Sequence, residues 1–270
     1  MNKIGLCLTG GGSRGAYQVG AAKALEELGI LSKVSVFSGT SIGAVNCSLL
    51  STKTPSEVKN LWLSVSPDQL KSTQNLFKRL VKERLEFAAK GAYEIKPLEE
   101  LLKQNLDLKK LKKQSVFVTL SEGGQVNEGI FGLLKSSYSH YIKKDTHVIY
   151  SPLHEQSEKN IIKQILASCS IPIIFPPLKV GEKQYFDGGL YDNVPVRPLI
   201  DSDCDTVIII HLNRIYFLDK SKYPGIHFIE IKHGKGLGGI LNFDPLQSEI
   251  TFNSGYQDTL AYFEKNPFNL

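Results

Sequence analysis

The chain has no long apolar run. None of its hydrophobic stretches approaches the roughly 18 residues that a membrane-spanning helix needs. The N-terminus, MNKIGLCLTGGG, has neither the extended apolar core nor the small-residue cleavage site of a secretory leader. A cytoplasmic protein is therefore expected, touching membranes at most peripherally; delivery into another cell by a route that leaves no N-terminal signal fits the same sequence. Cysteine is scarce. Cys7, Cys47, Cys169 and Cys204 lie far apart with no C-x-x-C pair, so reduced buried thiols fit better than disulfides or a metal site. Internal repeats and low-complexity linkers are missing. The charge balance is +5, with 32 Lys and Arg against 27 Asp and Glu, yet no basic patch is interleaved with aromatic residues. Nucleic-acid binding thus has no support.

With 41% hydrophobic residues in 270, the chain can bury one substantial core, and a single domain over residues 1–270 is expected. Its pattern alternates. Ile4 to Leu8 reads as a buried strand, followed by a glycine loop and a helix from about Gly15 to Leu28 that carries Ala16, Val19, Ala22 and Leu25 near helical spacing. Val34 to Phe37 repeats the order as strand, turn and helix through Ala44, Val45 and Leu49. Further strands are predicted at Val116 to Leu120, Thr146 to Tyr150, Thr206 to Leu212 and Ile226 to Ile231. Successive strand–loop–helix units imply an α/β fold, with a mostly parallel central sheet and helices on both faces.

Two glycine-rich turns carry the chemistry. GTSIGA, residues 39–44, places Ser41 in a G-x-S-x-G pattern where a strand must reverse into a helix. Gly39 and Gly43 keep the flanks of that turn free of bulk, which lifts the Ser41 hydroxyl clear of the sheet. GGGSRG, residues 10–15, fits G-x-G-x-x-G through Gly10, Gly12 and Gly15. A dinucleotide-binding turn would also need an acidic residue at the end of the second strand to hold a ribose. That strand runs instead through Phe37-Ser38-Gly39 into the Ser41 turn. Bare N–H groups at a helix start will stabilise any anion, including the oxyanion that forms when a serine attacks a carbonyl. Adjacent parallel strands would bring both loops to one edge of the sheet.

A serine nucleophile needs a base. The histidines at 140, 147, 154, 211, 227 and 233 sit in no evident catalytic signature, whereas QYFDGGLYDNVP, residues 184–195, sets Asp187 between a strand end and the pair Gly188-Gly189. On its own this reads first as an Asx-turn. Together, GGGSRG, GTSIGA, the segment ASCSIPIIFPP at 167–177 and Asp187-Gly188-Gly189 with Asn193-Val194-Pro195 resemble the patatin-like phospholipases, particularly the compact bacterial type. The resemblance runs over most of the chain. It implies a patatin-like variant of the α/β hydrolase architecture, with a catalytic core over about 4–212 and a C-terminal strand and helix over about 213–270. It also implies a lipid acyl hydrolase, of phospholipase A or lysophospholipase type, that needs no metal or cofactor. Ser41 would be the nucleophile, Asp187 the general base of a Ser-Asp dyad, and the loop Gly10, Gly11, Gly12, Ser13, Arg14 and Gly15 the oxyanion and substrate contact. Arg14 would add positive charge there. Two alternatives stand beside it: a non-catalytic lipid-binding or regulatory protein that keeps the fold, and a Ser-His-Asp triad using His211, His227 or His233.

The basic excess is local. Residues 71–113 hold 12 Lys and Arg against 6 Asp and Glu. Leu76, Phe77, Leu80, Val81 and Leu85 fall at helical spacing among Lys78, Arg79, Lys82 and Arg84. This is either an ordinary amphipathic helix on the core or an element drawn to anionic lipid. LKKLKK at 108–113 reads as a solvated helix end.

Overall fold

The computed structural model of the chain describes residues 3–65, 96–122, 148–170, 178–180, 183–190, 192–216, 218–240 and 242–267. The segment holding Leu76 to Leu85, and residues 171–177, lie outside them. The strands are β1 (Ile4–Leu8), β2 (Val34–Gly39), β3 (Ser115–Glu122), β4 (Val148–Pro152), β5 (Leu178–Val180), β6 (Lys183–Asp187), β7 (Thr206–Ile210) and β8 (His227–Ile231). They form one sheet in the order β5-β6-β3-β2-β1-β7-β8, with β4 also on β3. The run from β3 through β2, β1 and β7 to β8 is parallel throughout. That is the sheet the repeated strand–loop–helix units require.

Three antiparallel strands extend it at the β3 end, and the predicted strand near 146–150 is one of them, observed as β4. Their registers matter for the site. β2 pairs with β3 only as far as Gly39 opposite Val118, and β6 pairs with β3 from Leu120 onward. Because β4 occupies the other edge of β3 over Phe117 to Ser121, β2 and β6 must share one edge. β6 thus takes up the hydrogen-bonding edge that β2 leaves, and the end of β6, Asp187 opposite Leu120, arrives where the chain turns away after Gly39.

The helices are α1 (Ala16–Glu27), α2 (Ile42–Leu50), α3 (Pro55–Ser64), α4 (Lys96–Asn105), α5 (Glu158–Ser168) and α6 (Pro245–Lys265), with single turns at Leu108–Leu111 and Arg197–Ile200. α3 opens on a capping box, with Thr54 and Glu57 exchanging side-chain to backbone hydrogen bonds. Asp244 caps α6 ahead of Pro245. The main core fills one face, where Ile4, Leu6 and Leu8 of β1 meet Tyr17, Val19, Leu25, Val45 and Phe252 from the helices. On the other face Cys7, Val36, Val207 and Ile209 pack against Val194, Val196, Leu199 and Cys204, around the turn Arg197–Ile200. All four cysteines are buried free thiols. No helix among the described residues is long and apolar enough to cross a membrane. The LKKLKK segment is less solvated than its charge suggests: Leu111 is fully buried, and the Lys110 ammonium donates to the Thr52 carbonyl at 2.6 Å.

α1 and α6 approach so closely that a side chain at their crossing would strike backbone. A Cβ on Gly20 would land on the Phe252 carbonyl oxygen, and one on Gly255 on that of Tyr17. Gly20→Ala and Gly255→Ala are each expected to cost about 1–3 kcal/mol by overpacking. Urea unfolding checks this against Gly234→Ala, whose Cβ meets open space and should not lower the midpoint.

Candidate active site

Ser41 stands between the last residue of β2 and the first turn of α2, with φ 55° and ψ −125°. Among the described residues only Ser41 and Asp203 are non-glycine with positive φ, a conformation that costs on the order of 1–3 kcal/mol and needs its surroundings to enforce it. The flanking glycines do so. A Cβ on Gly39 would land on the Gly43 carbonyl, and one on Gly43 on the Leu8 carbonyl, so the start of α2 is pressed onto the ends of β1 and β2. The Ser41 N–H donates to Ser168 Oγ (2.9 Å), whose hydroxyl donates to the Thr119 carbonyl (2.7 Å). The last residue of α5 thereby ties the Ser41 turn to β3.

Asp187 ends β6 with its backbone held on both sides. Its N–H donates to the Ser170 carbonyl (2.9 Å) and its own carbonyl accepts the Ser121 hydroxyl (2.9 Å). Gly188 has no room for a side chain, since a Cβ there would land on the Thr119 carbonyl. The carboxylate accepts the Gly189 N–H at 2.7 Å. It is 5% exposed. Burial pushes its pKa up to about 6, while the Ser41 hydroxyl and the Gly189 N–H hold it down.

The described histidines at 154, 211 and 233 are engaged elsewhere. His211 is 1% exposed, shares a 2.9 Å hydrogen bond with Glu230 and stacks on Tyr216 at 3.7 Å. Burial pushes its pKa down to about 4, against the pull of Glu230. His154 lies edge-on to Phe117, and His233 Nδ1 bonds the Lys235 carbonyl. His227 opens β8 beside Thr206. His140 and His147 lie outside the described residues.

The glycine loop lies against Ser41: a Cβ on Gly10 would be 3.2 Å from Ser41 Cβ. Its six residues divide the work. The Gly10 N–H donates to Asn193 Oδ1 (3.0 Å). Ser13 is fastened to a C-terminal loop, with its N–H on the Ile240 carbonyl and its hydroxyl on that of Gly239. The Arg14 guanidinium is taken up by the Gly238 and Leu212 carbonyls and by Asn213 Oδ1, so its charge serves as a strap from loop to loop. Gly15 gives way to Ile42 and Trp62, each 2.7 Å from where its Cβ would be. Among the described residues, the N–H groups of Gly11, Gly12 and Ile42 meet no hydrogen-bond acceptor. Below the loop, buried Gln18 and Asn46 link the Thr9 carbonyl, the Gly15 carbonyl and the Trp62 indole N–H. Sequence patterns assign no role to Ser168, Asn193 or Asn213. Ser168 and Asn193 stand in quoted motifs, whereas nothing local marks Asn213.

A strained serine on a strand-to-helix turn at the C-terminal edge of a mostly parallel sheet, with a buried carboxylate nearby, fits the α/β hydrolase architecture. The patatin-like phospholipase family matches residues 6–200, and the chain belongs to that family. Lysophospholipase NTE1 of Cryptococcus neoformans var. neoformans serotype D is 24% identical over 221 residues, covering 79% of this chain and 11% of that protein. The probable lipid hydrolase 463L of Invertebrate iridescent virus 6 is 28% identical over 203 residues, covering 71% of this chain and 61% of its own. The chain therefore spans only part of these relatives. VipD from Legionella pneumophila superposes with a TM-score of 0.55 at 15% identity, over 98% of this chain and 67% of its own. Human GIVD cytosolic phospholipase A2 gives 0.56 at 9% identity, over 98% and 59%. At these identities the structural likeness speaks for the fold alone.

Proposed function

We propose that the protein is a lipid acyl hydrolase of phospholipase A or lysophospholipase type, with Ser41 as nucleophile and Asp187 as its general base. The observation that carries this reading is the pairing of a strained serine with a buried carboxylate whose pKa is about 6. A carboxylate so placed is ionised at neutral pH, yet is a far better base than a solvated one. In the first half-reaction the Ser41 hydroxyl oxygen bonds to the ester carbonyl carbon and its proton passes to Asp187. The oxyanion faces the N–H groups of Gly11, Gly12 and Ile42, with the positive end of α2 behind it. Collapse breaks the bond to the alcohol, which leaves with the proton from Asp187. Water then attacks the acyl carbon as Asp187 takes its proton; collapse breaks the bond from Ser41 Oγ to the acyl carbon, the proton passes from Asp187 back to Ser41 Oγ, and the fatty acid is released. The cycle requires neither metal nor cofactor.

The fungal relative's name, lysophospholipase, puts a lysophospholipid first among substrates, with diacyl phospholipid second. Such a substrate is drawn from a lipid aggregate, so peripheral membrane contact is part of this reading, and the basic excess over 71–113 suits an anionic surface. Residues 1–270 are taken as one catalytic unit, because the Ser13 and Arg14 bonds reach forward to 212–213 and 238–240.

The test is a panel of lysophospholipid and phospholipid vesicles assayed for fatty-acid release, together with fluorophosphonate labelling and peptide mapping. Release from at least one member, with the phosphonyl group on Ser41, is expected. No release and no label across the panel would favour a lipid-binding protein that keeps the fold.

A further inference from the structure

Two asparagine side chains, 183 and 203 residues further along the chain, converge on one peptide bond of the glycine loop. Asn193 accepts the Gly10 N–H on Oδ1 at 3.0 Å and donates from Nδ2 to the Gly10 carbonyl at 3.4 Å. Asn213 donates from its Nδ2 to the same carbonyl at 3.3 Å. Asn213 is itself oriented by Arg14, whose Nη1 donates to its Oδ1 at 3.0 Å. A backbone N–H and a guanidinium only donate and a carbonyl only accepts, so these contacts define which way round both carboxamides sit.

The Gly10 carbonyl and the Gly11 N–H belong to one planar trans peptide unit and point in opposite directions. Gripping the carbonyl therefore aims the N–H. The grip is needed at this point in the chain. With no Cβ on either side, a Gly-Gly peptide rotates with little steric resistance, and a rotated unit would turn the Gly10 oxygen, a partial negative charge, toward the developing oxyanion. The Gly11 N–H is one of the groups without an acceptor among the described residues. Asn193 also borders the base, since a Cβ on Gly189 would be 3.2 Å from its Oδ1 and 2.9 Å from Asp187 Oδ1.

We propose that Asn193 and Asn213 are positioning residues that lock the Gly10–Gly11 peptide, holding the Gly11 N–H toward the acyl oxygen above Ser41. The lock rests on the acyl-hydrolase reading and adds the device that keeps its oxyanion donor in place. Asn213 lies beyond residues 6–200, the span matched by the family, so half of the lock comes from a part of the chain outside that match.

Asn193→Asp and Asn213→Asp are close to isosteric. Each keeps the acceptor that meets the Gly10 N–H or Arg14, and each replaces the donor to the Gly10 carbonyl with an oxygen. Turnover of p-nitrophenyl butyrate by the full chain should show kcat lowered about 10- to 100-fold in each single variant, a misplaced donor costing less than a deleted one. KM should be nearly unchanged. The double variant should fall little below the worse single one, because both side chains act on one peptide. Wild-type kcat in either single variant, a loss confined to KM, or losses that multiply would overturn the lock. If Asn193→Asp does not fold by thermal melting, Asn213→Asp and Asn213→Ala carry the same test. A wild-type protein that neither hydrolyses the ester nor is labelled on Ser41 would remove the hydrolase reading itself. An active wild type with unaffected variants would remove only the lock.

Discussion

Asp187→Asn is expected to lower ester turnover by about 10⁴-fold or more, close to the loss in Ser41→Ala, and at the same time to make the protein more stable at neutral pH. Serine hydrolases lose about 10⁴- to 10⁶-fold on removal of the nucleophile or its base. Asn keeps the shape and still accepts the Gly189 N–H, so the loss reports the missing base. The stability gain follows from the same burial. The native state holds the Asp187 proton more tightly than the unfolded chain does, with a native pKa of about 6. Its contribution to stability is therefore fully present at low pH and is lost as pH rises through the window from about 4 to 6. A native pKa of about 6 against the ordinary aspartate value corresponds to about 3 kcal/mol withdrawn by neutral pH. Asn never ionises and escapes that loss. Urea unfolding should find the variant more stable than wild type by up to about 3 kcal/mol at pH 7.5, with the difference closing near pH 4. Turnover in the variant close to that of wild type, or a variant less stable at pH 7.5, would contradict the assignment of Asp187 as a strained base.

The acid limb of the pH profile is the second large effect. With Asp187 as base, kcat/KM on a soluble ester should approach a tenfold fall per pH unit below about 6, reaching about 100-fold below its plateau by pH 4. A histidine base would give another limb. His211, with a pKa of about 4, would sustain activity across that range. His211→Gln, His227→Ala and His233→Ala should each retain most activity, since His211 bonds Glu230, His227 opens β8 and His233 bonds the Lys235 carbonyl. An acid limb near pH 4, or a histidine variant as inactive as Ser41→Ala, would replace the dyad with a triad while leaving an acyl hydrolase.

What the sequence by itself determined is what short-range physics can encode. Buried runs such as Ile4 to Leu8 followed by helical spacing specify strand, loop and helix in turn, and the parallel sheet follows. The glycines at 39, 43 and 188 mark places where backbone meets backbone, and the two glycine turns and the Asp187 turn stand out because such conformations demand such residues. Tertiary structure alone decided how these parts meet. That β6 runs antiparallel along the edge β2 vacates, bringing Asp187 to the Ser41 turn, depends on registers along β3, and no local pattern carries register between strands so distant in sequence. The use of Arg14 as a strap, and the convergence of Asn193 and Asn213 on Gly10 from 183 and 203 residues away, are equally hidden. A single polar side chain that satisfies one distant backbone group leaves no periodicity behind; its partner becomes visible only when the fold has closed the distance.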